Sequence, residues 1–204
     1  MTAMKGENTG PALAMLLLDE VPPGLAALDA LVKEAEVDVL QAGTIHGGRY
    51  LILFGGEVGP VERSWRRALD VAGSHVADEV FLPNAETRIA PAIGTGVMRW
   101  PAPGDTLGVL QASTPPALVR AVDSALKGAL VDLVELRVGD GLGGKAIASL
   151  WGETHDVEAA IALARASFEK SGVTGTSTAV IPRADPAVQE TLGSPSRFFR
   201  EFRG

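Results

Sequence analysis

The sequence predicts an α+β protein built from two tandem ferredoxin-like (split β-α-β) domains, each an antiparallel sheet with helices on one face. Three observations predict it: the chain aligns with itself, both copies show the hydrophobic order β-α-β-β-α-β, and a Gly- and Pro-rich stretch lies between them. Shifted by 94 residues, residues 12–39 fall on residues 106–133 without gaps, and nine of 28 positions are identical, among them Pro22/Pro116, Asp29/Asp123 and Lys33/Lys127. A shift of 96 then sets residues 47–62 on residues 143–158, matching Gly47-Gly48 with Gly143-Gly144 and Gly56-Glu57 with Gly152-Glu153. Two residues are therefore added to the second copy, in the loop that holds His46 in the first. A closing echo, VFLPNAE at 80–86 against AVIPRAD at 179–185, completes each copy.

Residues 12–18 are wholly apolar or small and read as a strand. Pro22 or Pro23 can open a helix, since proline suits a first turn, and Leu25, Leu28, Leu31, Val32 and Ala35 recur at helical spacing behind it. VDVLQAGTI and RYLILF read as two strands joined by a His-Gly-Gly turn. Val58, Val61, Trp65, Ala68, Leu69 and Ala72 form a second helical stripe, and residues 78–82 close the unit as a strand. The second copy repeats this order. The boundaries that follow are a tail at 1–11, a first domain at 12–93, a linker at 94–105, a second domain at 106–190 and a tail at 191–204.

With 46% hydrophobic and 21% charged residues the composition is that of a folded globular chain, and a net charge of −7 gives no electrostatic basis for nucleic-acid or anionic-membrane partners. There is no cysteine, which excludes disulfides, thiolate catalysis and cysteine-held clusters. The N-terminal residues lack the apolar core of a secretory signal and no apolar run reaches the ~20 residues of a membrane span, so a cytoplasmic protein is expected.

GDGLGGK, residues 139–145, matches G-x-x-x-x-G-K and G-x-G-x-x-G in form. A phosphate loop needs a helix directly behind its glycines and a Ser or Thr after the lysine. Ala146 stands there, the following residues read as a strand, and the equivalent loop of the first copy joins two strands. A glycine-rich hairpin is the reading. His75 and His155 fall in or near the second helices of the two copies without metal-site spacing, and are expected as exposed helix residues. Trp65 and Trp151 read as packing residues. No set of side chains assembles an active site, so no enzyme is expected. The tail SRFFREFRG, with three Phe and three Arg, reads as a segment docking on the protein's own surface.

The pattern D-x-x-x-K-x-A-x-V at 29–37 and 123–131, a glycine loop, G-[ED]-x-x-x-V-E at 56–62 and 152–158, and a closing IPR at 181–183 resembles the bacterial microcompartment (BMC) shell domain, twice over. TIHGGRYL and GLGGK are most similar to the tandem shell proteins of propanediol-utilisation compartments. The resemblance implies a structural shell protein: a pseudohexagonal homotrimer that tiles into shell facets with hexamers and pentamers and passes small metabolites through a central pore. It implies pore-lining roles for His46, Gly47 and Gly48, flanked by Asp140, Gly141, Leu142, Gly143 and Gly144. Tile-edge contacts are implied for Lys33, Lys127 and Arg183; the first copy has Asn84 in place of that arginine. The propanediol subgroup carries a cysteine in the first loop for an iron–sulfur cluster on the threefold axis. Histidine stands there in this chain, and no cluster is expected; three His46 imidazoles around one channel could instead bind a transition metal weakly. The alternative function is a ferredoxin-like ligand-binding regulator with a cleft between subunits.

Overall fold

The computed structural model describes residues 10–95, 105–139 and 141–190. The chain forms two compact units that divide between Ala90 and Pro91. In the first, β1 (Ala12–Leu18) leads to α1 (Val21–Glu34), then β2 (Asp38–Ile45) and β3 (Arg49–Gly56), α2 (Val58–Ala72), a short 3₁₀ turn and β4 (Val76–Leu82). The strands lie in the order β2-β3-β1-β4 with every neighbouring pair antiparallel. This is the split β-α-β arrangement that the sequence predicts. Prolines in the first turn of α1 cost nothing, because those N–H groups lack helical acceptors, and Lys33 sits in the last turn, where a cation suits the helix dipole.

The core of this unit lies between the helices and one sheet face: Leu16, Leu18, Ile52 and Phe54 of the sheet pack with Ala27, Leu31, Val61 and Ala68 of the helices. Only part of the predicted α1 stripe takes this place. Gly24, Ala27 and Leu31 are the buried residues, whereas Leu25 and Val32 are 52% and 47% exposed. Residues seven apart share a face, but the period does not say which face meets the sheet. The α2 stripe is placed as expected: Val61, Ala68 and Ala72 are buried, and Trp65 stacks on Phe81 with ring centroids 5.4 Å apart while its Nε1 donates to Glu79 Oε2 at 3.1 Å. Ser64 ties the two helices together, its hydroxyl donating to the Leu31 carbonyl at 2.8 Å.

The helix α3 (Ile89–Thr95) follows. Its residues were expected in the end of the first domain and the start of the linker, with no helix among them. Pro91 is the third residue of α3, inside the first turn, where proline does no harm. The rest of the predicted linker and both tails, including SRFFREFRG, lie outside the described residues.

The second unit repeats the order: β5 (Thr106–Ala112), α4 (Pro115–Gly128), β6 (Asp132–Val138), β7 (Ala146–Gly152), α5 (Thr154–Ser171) and β8 (Ser177–Pro182), with a short α6 (Pro186–Glu190) at its end. Its sheet is β6-β7-β5-β8, again antiparallel throughout. Trp151 is fully buried, with Leu107, Val134 and Ala184 around it, and its Nε1 donates to Asp105 Oδ2 at 2.6 Å. Trp65 and Trp151 are packing residues, as expected, and each satisfies its N–H on a carboxylate. A bulge breaks the ladder at the same place in each copy, between Val39 and Gln41 in β2 and between Leu133 and Glu135 in β6.

Candidate functional site: two glycine hairpins and their surroundings

β2 and β3 pair down to Ile45 opposite Arg49, which leaves a three-residue loop of His46, Gly47 and Gly48. All three are exposed, and both glycines take positive φ, 85° and 71°. A β-carbon on either would meet nothing within 4 Å, so backbone conformation, not space, requires glycine here. The loop is a bare backbone tip carrying one imidazole.

In the second copy the last ladder pair is Val138 opposite Ala146. Gly139 N–H then donates to the Lys145 carbonyl at 3.0 Å, and Lys145 N–H to the Leu142 carbonyl at 3.2 Å. Gly139, Gly141, Gly143 and Gly144 all take positive φ. Between equivalent pairs this loop has the two extra residues that the shift between the copies requires. It is a hairpin and not a phosphate loop, since the strand β7 follows Lys145 directly. Gly141 and Gly143 are exposed and Leu142 is half-buried; Asp140 lies outside the described residues.

Lys33 and Lys127 hold equivalent places in the last turns of α1 and α4, and each reaches back one turn: Lys33 Nζ to Asp29 Oδ2 and Lys127 Nζ to Asp123 Oδ2, both at 2.7 Å. The D-x-x-x-K spacing is thus an i,i+4 ion pair in both copies. Lys33 also lines a cleft of about 450 Å³ between α1 and α2, with Asp29, Arg67 and Val71. Arg183, at the end of β8, is exposed and has φ 48°, the single positive φ among the described non-glycine residues. An arginine held in that region costs on the order of 1 kcal/mol, and such strain persists where the surroundings or a function demand it. Its counterpart Asn84 is exposed as well.

Each histidine outside the loop has its own local carboxylate neighbours. His75 Nδ1 lies 3.1 Å from Asp19 Oδ1, beside the backbone bond from Asp19 N–H to the His75 carbonyl, and this fastens the start of β4 to the end of β1. It follows α2 in the 3₁₀ turn. His155 stands in the first turn of α5, 3.5 Å from Glu153 and 3.4 Å from Asp156. The ring and the Glu153 side chain are about three-quarters exposed, and the positive end of the helix dipole disfavours a cation there. Among the described residues, burial raises the pKa of Tyr50 and of Glu135; Arg137 partly opposes the shift at Glu135. Neither faces a nucleophile, and the described residues assemble no catalytic constellation. No helix among them is long and apolar enough to cross a membrane.

The BMC domain family matches the chain twice, at residues 12–85 and 106–184. The chain is 31% identical over 172 residues, 84% of its length and 92% of the relative's, to the bacterial microcompartment shell protein PduT of Citrobacter freundii. It is 29% identical over 96 residues, 46% of its length and 93% of the relative's, to the carboxysome shell protein CsoS1 of Prochlorococcus marinus. A crystal structure of a microcompartment protein from Desulfitobacterium hafniense superposes with a TM-score of 0.76 at 29% identity, covering 88% of this chain and 98% of that one. These relatives favour a structural role over an enzyme or a ligand-binding regulator. The chain belongs to the BMC-domain family, as a tandem shell protein of a bacterial microcompartment.

Proposed function

We propose that three copies of this chain close into a pseudohexagonal trimer that tiles a shell facet beside other shell hexamers and pentamers, with a central pore for small metabolites. The observation that carries this reading is the duplication itself. Each chain supplies two copies of one domain, both presenting an exposed glycine hairpin between their middle strands, and three chains supply six. Closed cyclic symmetry satisfies every lateral surface within such a ring. In this arrangement His46, Gly47 and Gly48 surround the pore, with the loop from Gly141 to Gly144 beside them. Lys33, Lys127, Arg183 and Asn84 lie at the perimeter. Solution mass tests the trimer: three chains at micromolar concentration are expected, and a stable monomer or dimer rejects it. Lys33→Ala combined with Lys127→Ala is expected to abolish extended sheets seen by electron microscopy while the trimer remains. Equal loss of trimer and sheets would assign the two lysines to folding instead.

The pore reading places three His46 rings around one axis. The bare Gly-Gly tip leaves room for the loops to approach one another, and neutral imidazole is a ligand for zinc, copper or nickel. Weak binding of one such ion per trimer is expected, lost in His46→Ala. A chain without cysteine is not expected to hold an iron–sulfur cluster. Metal binding that survives the substitution moves the site elsewhere.

A further inference from the structure

Both glycine hairpins return into their sheets on a cation. Arg49 is the first residue of β3 and lies opposite Ile45, the last of β2. At shifts of 96 and 94 the counterparts are Lys145 and Gly139, and these two are also joined, Gly139 N–H donating to the Lys145 carbonyl at 3.0 Å. The two cations therefore hold one register position, at the step where each loop re-enters its strand. Tyr50, the next residue in the first copy, belongs to the core between helices and sheet, so Arg49 lies on the opposite face of the sheet. Arg49 is half-buried and Lys145 is exposed. Neither forms an ion pair among the described residues, whereas Lys33, Arg66, Arg88, Lys127 and Arg137 each lie beside a carboxylate. The tips in front of them are largely glycine, and a β-carbon on Gly47, Gly48, Gly141 or Gly143 would meet nothing within 4 Å. In a chain of net charge −7, a cation without a carboxylate partner at the same place in both copies departs from the charge of the rest of the surface.

From this we infer that Arg49 and Lys145 form a cationic collar around the pore, and that the small metabolites it admits are anions bearing carboxylate or phosphate groups. The inference rests on the trimer and pore reading and gives that pore its charge class. Three chains bring six hairpins together and with them six cations, three guanidinium groups and three ammonium groups. Asp140 lies outside the described residues, and three aspartates counted in full still leave the cations in excess. Asp19, which follows β1 at the same end of the first sheet, lies 3.1 Å from the His75 ring. Like charges set around a narrow opening, with low-dielectric protein behind them, add their fields at its centre. A small anion is drawn in and a cation is turned back, while a neutral solute feels neither effect. The guanidinium adds a planar fork that fits carboxylate and phosphate, and the ammonium acts as a point charge.

The chain has no cysteine, so His46→Cys places a sole thiol at the tip of each first-copy hairpin. Two labels on it answer two questions. Pyrene maleimide on every chain reports whether the tips meet, because excimer emission requires two pyrene rings in contact. A neutral fluorophore, attached so sparsely that a trimer carries a single dye, reports the local concentration of small ions: its quenching by iodide is divided by its quenching by neutral acrylamide. At low ionic strength this ratio is expected to be on the order of tenfold higher than in the same chain carrying Arg49→Gln and Lys145→Gln. Each single substitution should remove part of the difference, and about 1 M sodium chloride, at which the Debye length is about 3 Å, should abolish it. Excimer emission with equal ratios in the two chains overturns the inference and leaves the pore standing. A ratio that Arg49→Gln alone brings fully down also overturns it, since the second copy then contributes nothing. If the double variant fails to fold, the salt dependence of its parent decides, and a ratio that salt does not move overturns the inference. A trimer without excimer emission, or a chain that never forms a trimer, overturns the pore reading and the inference with it.

Discussion

In the first copy a glycine of the first helix rests against a tyrosine of the third strand; in the second, a leucine and an alanine stand at the same two places. A β-carbon added to Gly24 would lie 2.6 to 2.7 Å from Tyr50 side-chain atoms, so the ring occupies the space that a side chain at position 24 would need. The counterparts, at shifts of 94 and 96, are Leu118 and Ala146, both 0% exposed. The summed volume of the two residues is nearly the same in each copy, but its distribution between helix and strand is inverted. What the duplicated fold preserves at this point is the filling of the helix–sheet layer, not the identity of either residue, as expected of interiors packed at crystal density.

The largest expected effect comes from breaking that complementarity on one side. Tyr50→Ala should leave an unfilled space under Gly24 and cost about 3 to 5 kcal/mol, the range for aromatic truncation in cores. Gly24→Leu alone should also destabilise, by about 1 to 3 kcal/mol or more, because its side chain would enter the tyrosine ring. The double substitution reproduces the second copy's pair within the first copy. It should be more stable than either single variant, aided by the better helix propensity of leucine over glycine. Chemical denaturation of all four proteins measures the coupling. Additive losses would show that the two positions do not share one volume.

This exchange marks where the sequence was legible and where it was not. The repeat, the element order and the two glycine hairpins could be read from identities and periodicity, because a strand as apolar as β1 and a Gly-Gly turn between strands have few other interpretations. The burial of α1 could not. Its buried positions are Gly24, Ala27 and Leu31, two of them too small to stand out, while the conspicuous Leu25 and Val32 face away. Side-chain size draws the eye, but the close approach of helix to sheet selects small residues. The helix α3 was concealed by its one glycine and one proline, and the paired bulges in β2 and β6 by the absence of any glycine at the bulge. Of the candidate site, the loops and the lysines were named from the sequence. The Asp29–Lys33 and Asp123–Lys127 pairs became visible with the structure, although their i,i+4 spacing was a signal. The left-handed Arg183 had no such signal.

The smallest effect expected is at the bulge, where the copies differ in charge. Gln41 and Glu135 are equivalent, each just past the bulge and each buried, at 7% and 1% exposure. Gln41 lies opposite Leu53, itself opposite Met15; Glu135 lies opposite Ser149, itself opposite Val109. At this register position the neighbours are thus the more apolar in the first copy, and the carboxylate stands in the second. Glu135 Oε1 sits 2.7 Å from Arg137 Nε, but the two are not aligned for a hydrogen bond, and neither atom finds another partner. Burial raises the Glu135 pKa above its ordinary 4.5, and Arg137 offsets only part of the rise. The folded state therefore holds this proton more tightly than the unfolded state. Its contribution to stability is fully present below the unfolded value and is lost as pH rises through that value and on through the raised folded one. Glu135→Gln, which gives the second copy the residue of the first, removes that loss. Arg137 is left without its carboxylate, but at 30% side-chain exposure it reaches solvent, and the change this brings is the same at every pH in the range because arginine does not titrate there. The readout is therefore the slope and not the offset: the melting temperature of Glu135→Gln minus that of the wild type should rise as pH is taken upward from 4.5. A flat difference across that interval would mean that Glu135 titrates alike in the folded and unfolded chains, and that the second sheet tolerates its carboxylate at no cost.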